Sequence, residues 1–72
     1  MARREDRAVG ETLRTAREKA GLTQTQLGKR TGLDQAVVSR LETGRNRPRI
    51  DTLRRIAQGL GLSVSELLSP SR

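Results

Sequence analysis

The stretch 22-LTQTQLGKRTGLDQAVVSRLETG-44 contains two short runs of helix-forming residues split by a single glycine turn at Gly32. Short helices are weak by themselves, because nucleation is unfavourable and few hydrogen bonds follow it. A pair this short, joined this tightly and surrounded by arginine, points to a use other than packing. The first run opens at Thr23 with Gln26 three residues on. This is a capping box, in which each side chain accepts the other residue's backbone N–H. The second run opens near Asp34, a good N-cap residue. Only Leu33 lies between Gly32 and that cap, and so short a link forces the two helices to pack at a steep angle.

At roughly 100° per residue, the second of these helices divides into two faces. Val38 and Leu41 point one way; Gln35, Ala36, Ser39, Arg40 and Thr43 point the other. A polar outer face is ordinary for a surface helix and carries little weight alone. Beside a steeply packed neighbour it carries more, since such a helix stands out far enough to enter a DNA major groove about 12 Å wide.

Outward from this pair, glycine recurs at Gly21, Gly32, Gly44 and Gly61, each just after a helix-like segment, where a left-handed cap belongs. Upstream, Val9, Leu13, Ala16 and Ala20 form one apolar stripe, with Glu11, Arg14 and Glu18 on the solvated side. Downstream, Ile50, Leu53, Ile56, Ala57 and Leu60 form a second stripe, and Asp51 sits favourably in the first turn. Ser63 with Glu66 makes another capping box before Leu67 and Leu68. No segment alternates with period two. The expected fold is all-α, with five short helices in one domain spanning 1–72, ordered over about 8–68, and the tight helix pair over about 23–43. Residues 1–7 and 69–72 have no periodicity and are expected to be mobile.

Composition narrows the function. Fifteen Lys and Arg stand against eight Asp and Glu, a net charge of +7, and thirteen of the fifteen are Arg. The guanidinium fork matches phosphates and guanine edges, so a nucleic-acid partner is the first reading and an acidic membrane surface the second. The membrane reading is weak without aromatic anchors. There is no Cys and no His, so thiolate and imidazole metal sites are excluded, and the scattered carboxylates lack calcium-loop spacing. Neither a nucleophile–base pair nor a phosphate loop is visible, which argues against an enzyme; no cofactor and no metal are expected. The start, MARREDRAVG, has no apolar run after its basic residues, so a cytoplasmic location is expected.

Three motifs in this order, L-T-Q-x-x-L over 22–27, G-L-x-x-x-x-V-S-R-L-E-x-G over 32–44 and I-A-x-x-L-G-L-S-x-x-x-L-L over 56–68, resemble the phage repressor/Cro-type (XRE) helix-turn-helix family. The resemblance covers roughly residues 9–68. It implies a five-helix, lambda-repressor-like DNA-binding domain whose third helix reads double-stranded DNA, and a transcriptional regulator acting as a homodimer on a two-part site. It also implies roles at matching positions. Gln35, Ala36, Ser39 and Arg40 would face base edges, with Arg40 suited to guanine, Gln35 to adenine and Ala36 to a thymine methyl. Val37 would be either a methyl reader or a flank of the core. Thr23 and Gln24 at the start of the second helix, and Thr43, Arg45, Asn46 and Arg47 after the third, would hold the DNA backbone, with Gln24 either contacting a phosphate or anchoring a base-reading side chain. Arg17 and Glu42 match a pair that bridges the first and third helices, with Arg17 donors left over for a phosphate.

Gly28 and Gly59 stand where the family commonly has alanine, and Thr31 where it has an aliphatic residue, which suggests modest stability. Arg3, Arg4 and Arg7 could form a basic arm, while Arg54 and Arg55 read as solvent-facing. Leu62, Val64 and Leu68 are a candidate dimer surface. The rival function is a protein-interaction module, either an antitoxin that acts with a toxin partner or a restriction-modification controller. A toxin-like reading frame next door would favour the antitoxin.

Overall fold

The computed structural model describes residues 3–69. Among these, five α-helices and no strands are found: α1 (Arg4–Lys19), α2 (Gln24–Thr31), α3 (Gln35–Glu42), α4 (Ile50–Leu60) and α5 (Val64–Leu68). The helix starts follow local chemistry. Thr23 Oγ1 accepts from Gln26 N at 3.1 Å while Gln26 Oε1 accepts from Thr23 N at 2.8 Å. Ser63 and Glu66 repeat the arrangement at α5, at 3.0 and 2.9 Å. Asp34 holds the N-cap position of α3 with extended backbone, but its side chain makes no capping hydrogen bond. The glycines at positions 21, 32, 44 and 61 all have φ between +71° and +77°, the left-handed conformation that ends a helix without a Cβ clash.

The core is entirely aliphatic. Leu13, Leu27, Val38, Leu41, Leu53, Ile56, Ala57 and Leu67 are buried together, one or more from each helix, with Val9, Ala16, Leu22, Leu33, Val37, Leu60, Leu62 and Val64 packed around them. Two stripe residues lie elsewhere than expected. Ala20 is the exposed C-cap of α1, one residue past the helix end. Ile50, the first residue of α4, is 59% exposed. The N-terminal boundary also differs from the expectation. Helix α1 begins at Arg4, so residues 4–7 are helical rather than part of a mobile tail. Met1 and Ala2, like positions 70–72 of the other tail, lie outside the described residues.

The two substitutions at the α2–α4 contact explain each other. Thr31 is buried, its hydroxyl donating to the carbonyl oxygens of Leu27 (2.8 Å) and Gly28 (3.3 Å). Its methyl lies 2.8 Å from where a Cβ on residue 59 would stand. Glycine at 59 therefore makes the room that threonine at 31 occupies, and the two helices approach closely there. Gly28 plays a similar part in the turn: a Cβ there would meet the Leu33 carbonyl oxygen at 2.5 Å.

The tightest approach is between α1 and α3. Gly10 is buried in the middle of α1, and a Cβ on it would lie 2.4 Å from the Glu42 carbonyl oxygen and 2.5 Å from that of Leu41. Glycine inside a helix normally costs about 1 kcal/mol relative to alanine. Here the obstructing atoms are backbone and cannot rotate aside. Gly10→Ala should therefore destabilise the protein by about 1–3 kcal/mol despite better helix propensity. In a domain this small that lowers Tm by roughly 4–8 °C for each kcal/mol. A melting curve with unchanged or raised Tm would show that α1 can slide away from α3.

The α5 capping box adds a pH signature. The backbone N–H of Ser63, donating to Glu66, holds that carboxyl below its ordinary range. The folded state thus favours the ionised form more than the unfolded chain does. Its contribution is present above the unfolded carboxylate pKa and is lost as pH falls through the lowered folded value. Glu66→Gln keeps an acceptor without a charge, so melting curves from neutral to acid pH should show a shallower decline than wild type. Superimposed declines would count against the box.

Candidate nucleic-acid interface

Helix α3 has the two faces its spacing dictates. Val38 and Leu41 are buried, and so is Glu42 at its last turn. Gln35, Ala36 and Arg40 are exposed, Ser39 is half-buried, and Val37 is half-buried against the core. Thr43, the exposed C-cap residue, donates its hydroxyl to the carbonyl oxygens of Ser39 (3.0 Å) and Arg40 (3.3 Å). Backbone N–H groups of Arg45 and Asn46 then donate to the Arg40 carbonyl at 2.9 and 3.2 Å, turning the chain sharply away from the helix. This turn carries Arg45, Asn46 and Arg47, all exposed, past the end of α3.

A chain of side-chain hydrogen bonds joins that face to the interior. Arg17 of α1 donates from Nε to Glu42 Oε2 (2.7 Å) and from Nη2 to Glu42 Oε1 (3.1 Å), a bidentate pair. Its remaining nitrogen, Nη1, donates to the Leu22 carbonyl at 2.7 Å. Gln24, in the first turn of α2, donates from Nε2 to Glu42 Oε1 at 3.1 Å. Gln35, in the first turn of α3, donates from Nε2 to Gln24 Oε1 at 2.6 Å. The order is Arg17, Glu42, Gln24, Gln35, running from the buried end to the exposed one.

The electrostatics of the chain follow from burial. The Arg17 and Glu42 side chains are 11% and 3% exposed, and desolvating either alone would be expensive. The bond from Glu42 raises the Arg17 pKa above its ordinary value and outweighs the opposing effect of burial, so the guanidinium stays charged. Among the described residues, no buried side-chain nitrogen or oxygen lacks a hydrogen-bond partner.

The sequence expectations are thus brought together unevenly. The Arg17–Glu42 bridge forms as expected, and Gln24 and Gln35 meet. Arg17 is buried, and three of its five N–H donors, one on each guanidinium nitrogen, are used within the protein. The Gln24–Gln35 bond fits the second of the two roles the resemblance implied for Gln24, the anchoring of a neighbouring side chain, whereas the Glu42–Gln24 bond was not expected. The two bonds link residues 11 and 18 positions apart. Among the described residues there is no cluster of three or more His, Cys, Asp or Glu able to hold a metal ion, and no helix long and apolar enough to cross a membrane.

Glu42 accepts from both Arg17 and Gln24, so its loss strands a buried cation. Glu42→Ala should cost ~3 kcal/mol or more, measured by urea denaturation. Glu42→Gln, which keeps an acceptor, should fall between it and wild type. Equal stability for all three proteins would remove the pair from any structural role.

Residues 8–69 match the family model described as "Helix-turn-helix domain". An HTH-type transcriptional regulator of Sinorhizobium fredii is 41% identical over 63 residues, which cover 88% of this chain and 82% of that protein. The immunity repressor of Bacillus phage phi105 is 32% identical over 60 residues, 83% of this chain but only 42% of the repressor. Among solved structures, the restriction-modification controller protein C.AhdI from Aeromonas hydrophila superposes with a TM-score of 0.85 at 28% identity, covering 88% of this chain and 96% of the controller. The P22 c2 repressor, solved in complex with a synthetic operator, superposes at 0.75 and 28% identity over 88% of this chain and 96% of the repressor. With a match spanning most of its length, the chain belongs to the helix-turn-helix domain family, as a DNA-binding transcription regulator of the phage repressor/Cro type.

Proposed function

We propose that α3 lies in the major groove of double-stranded DNA and that Gln35, Ala36, Ser39 and Arg40 read base edges there. Arg40 is the principal reader, since a bidentate contact to guanine is the commonest specific one. Gln35 suits adenine, Ala36 a thymine methyl, and Val37 flanks the groove from the core. The observation that carries this reading is the exposed polar face of α3, held at one end by Gln24 and at the other by buried Glu42. A face anchored at both ends presents its side chains without first ordering them, which favours discrimination over mere attraction.

The DNA backbone is held by Thr23 and Gln24 at the start of α2, where the helix dipole favours an anion, and by Thr43, Arg45, Asn46 and Arg47 beyond α3. Arg17 takes a different role in this proposal: it positions Glu42, and through it Gln24, without touching DNA. The protein acts by binding, needs no cofactor, and works in the cytoplasm. It binds as a homodimer on two half-sites about 34 Å apart, so that both copies of α3 enter successive major grooves on one side of the duplex.

Similarity to the C.AhdI controller favours a second reading in which the regulated genes encode a restriction-modification system. Methyltransferase and nuclease reading frames beside this gene would support that variant, and their absence would remove it.

Fluorescence anisotropy at about 50 and 200 mM salt, with the protein's own upstream DNA and a scrambled duplex, tests the main reading. If about four to six phosphates are neutralised per subunit, log K falls against log salt with a slope near −4 to −5 per subunit. Arg40→Ala should lose about 1–3 kcal/mol on the preferred sequence and little on the scrambled one. A slope near zero sinks DNA binding, and an equal loss on both duplexes sinks base reading by Arg40.

A further inference from the structure

Beyond α3, the first turn of α1 meets the loop that follows the reading helix. Asp6 Oδ1 accepts a hydrogen bond from Arg47 Nε at 3.3 Å, joining residues 41 positions apart. The Asp6 side chain is 16% exposed and that of Arg47 63% exposed. The carboxylate is therefore set back in the protein, while the guanidinium projects outward from it. One residue along, Arg7 lies directly against Gly44: a Cβ on that glycine would stand 2.8 Å from the Arg7 nitrogen and Cγ. One further turn along, Gly10 packs on the Leu41 and Glu42 carbonyls. Helix α1 is fixed along the end of α3 at successive points, and Asp6 inherits that fixed position.

We infer that Asp6 is a positioning residue for DNA binding: it holds Arg47 by Nε and leaves the outward edge of the guanidinium directed at a backbone phosphate. The inference rests on the proposed DNA-binding function. An arginine loses much of its rotamer freedom when it is immobilised. A partner that orders it before DNA arrives removes part of that loss from the binding step. Nε is the nitrogen best used for this, because it leaves both Nη groups for a phosphate. The backbone bonds from Arg45 and Asn46 to Arg40 order the start of the loop, and Asp6 extends that order to Arg47.

The idea makes a prediction opposite in sign to simple Coulomb attraction. Removing a carboxylate from a protein that binds a polyanion would ordinarily tighten binding. Positioning requires that Asp6→Ala weaken it.

A short fluorescein-labelled duplex, selected from a random pool by the wild-type protein, is titrated at several salt concentrations with wild type, Asp6→Ala, Asp6→Asn, Arg47→Ala and the Asp6→Ala/Arg47→Ala double variant. The expected result is weaker binding by Asp6→Ala and Arg47→Ala, with each slope of log K against log salt shallower by about 0.9, one phosphate contact. Asp6→Asn, which keeps the Oδ1 acceptor, should bind like wild type. The double variant should be no weaker than Arg47→Ala alone, because the two residues act as one unit. Circular-dichroism melts accompany each variant, since loss of fold lowers the active fraction but leaves the slope unchanged. Tighter binding by both Asp6 variants overturns the inference and makes Asp6 a competing anion. So does an Asp6→Ala protein with wild-type affinity and slope, or an Arg47→Ala protein with an unchanged slope. Failure of the wild-type protein to select any duplex, or to show salt dependence, overturns the parent reading instead.

Discussion

The buried pair between Arg17 and Glu42 is the contact on which the rest of the arrangement depends. It fastens α1 to the last turn of α3, and it does so where a bare charge would be intolerable. Glu42 can accept from Gln24 only because Arg17 has already fixed its carboxylate, and Gln35 can donate to Gln24 only because Gln24 is held in turn. A charge pair in the interior contributes less net stability than its geometry suggests, since both ions lose their water. What it contributes is register. Bidentate geometry admits one orientation of the guanidinium relative to the carboxylate, and so one placement of α3 on α1. The aliphatic core alone would tolerate some sliding between helices, because burial of Leu13, Val38 and Leu41 is non-directional.

Glycine completes what the pair begins. Helix α1 carries no Cβ where it crosses the carbonyls of Leu41 and Glu42, and α3 ends on Gly44 against Arg7. Both gaps let two backbones approach closer than side chains would allow. The result is a base on which the short helix α3 can be held although its own hydrogen bonds are too few to sustain it. The short helices therefore answer the question their sequence raises: α2 and α3 are stabilised from behind, which frees the outer face of α3 from any part in packing.

How far this was legible in the sequence depends on the range of each interaction. The capping boxes at Thr23 and Ser63 and the left-handed glycines were legible because each involves residues a few positions apart, within a single turn. The apolar stripes were legible for the same reason, and they failed at helix ends, at Ala20 just past α1 and at Ile50 at the start of α4. The division of α3 into a buried and an exposed face was legible from periodicity. Residues 4–7 were not, since REDR has no apolar period and its helix is secured by Gly44 and Arg47, far along the chain. Gly10 carries no local signal of its own, and its contact with the Leu41 and Glu42 carbonyls appears only in the fold. Gly59 and Thr31 looked like two separate departures, and they are one complementary pair.

The same distinction applies to charge. A net charge of +7 suggests a strong attraction to polyanions, but the arginines are not equivalent. Arg17 is neutralised inside the fold by Glu42, and Arg14 shares its charge with Glu18 on the solvated side of α1. Arg30 donates to the Gly59 carbonyl on the α2–α4 side of the molecule. Only cations that reach a phosphate release a counterion, so the salt dependence of binding counts positions rather than formal charge. Arg40, Arg45 and Arg47 are exposed along α3 and the turn beyond it, where the hydrogen bonds to the Arg40 carbonyl and the Asp6 carboxylate set their spacing. In this chain Asp6 thus belongs to the basic surface as much as the arginines do, because it bears on where Arg47 can point, while Glu42 removes Arg17 from that surface.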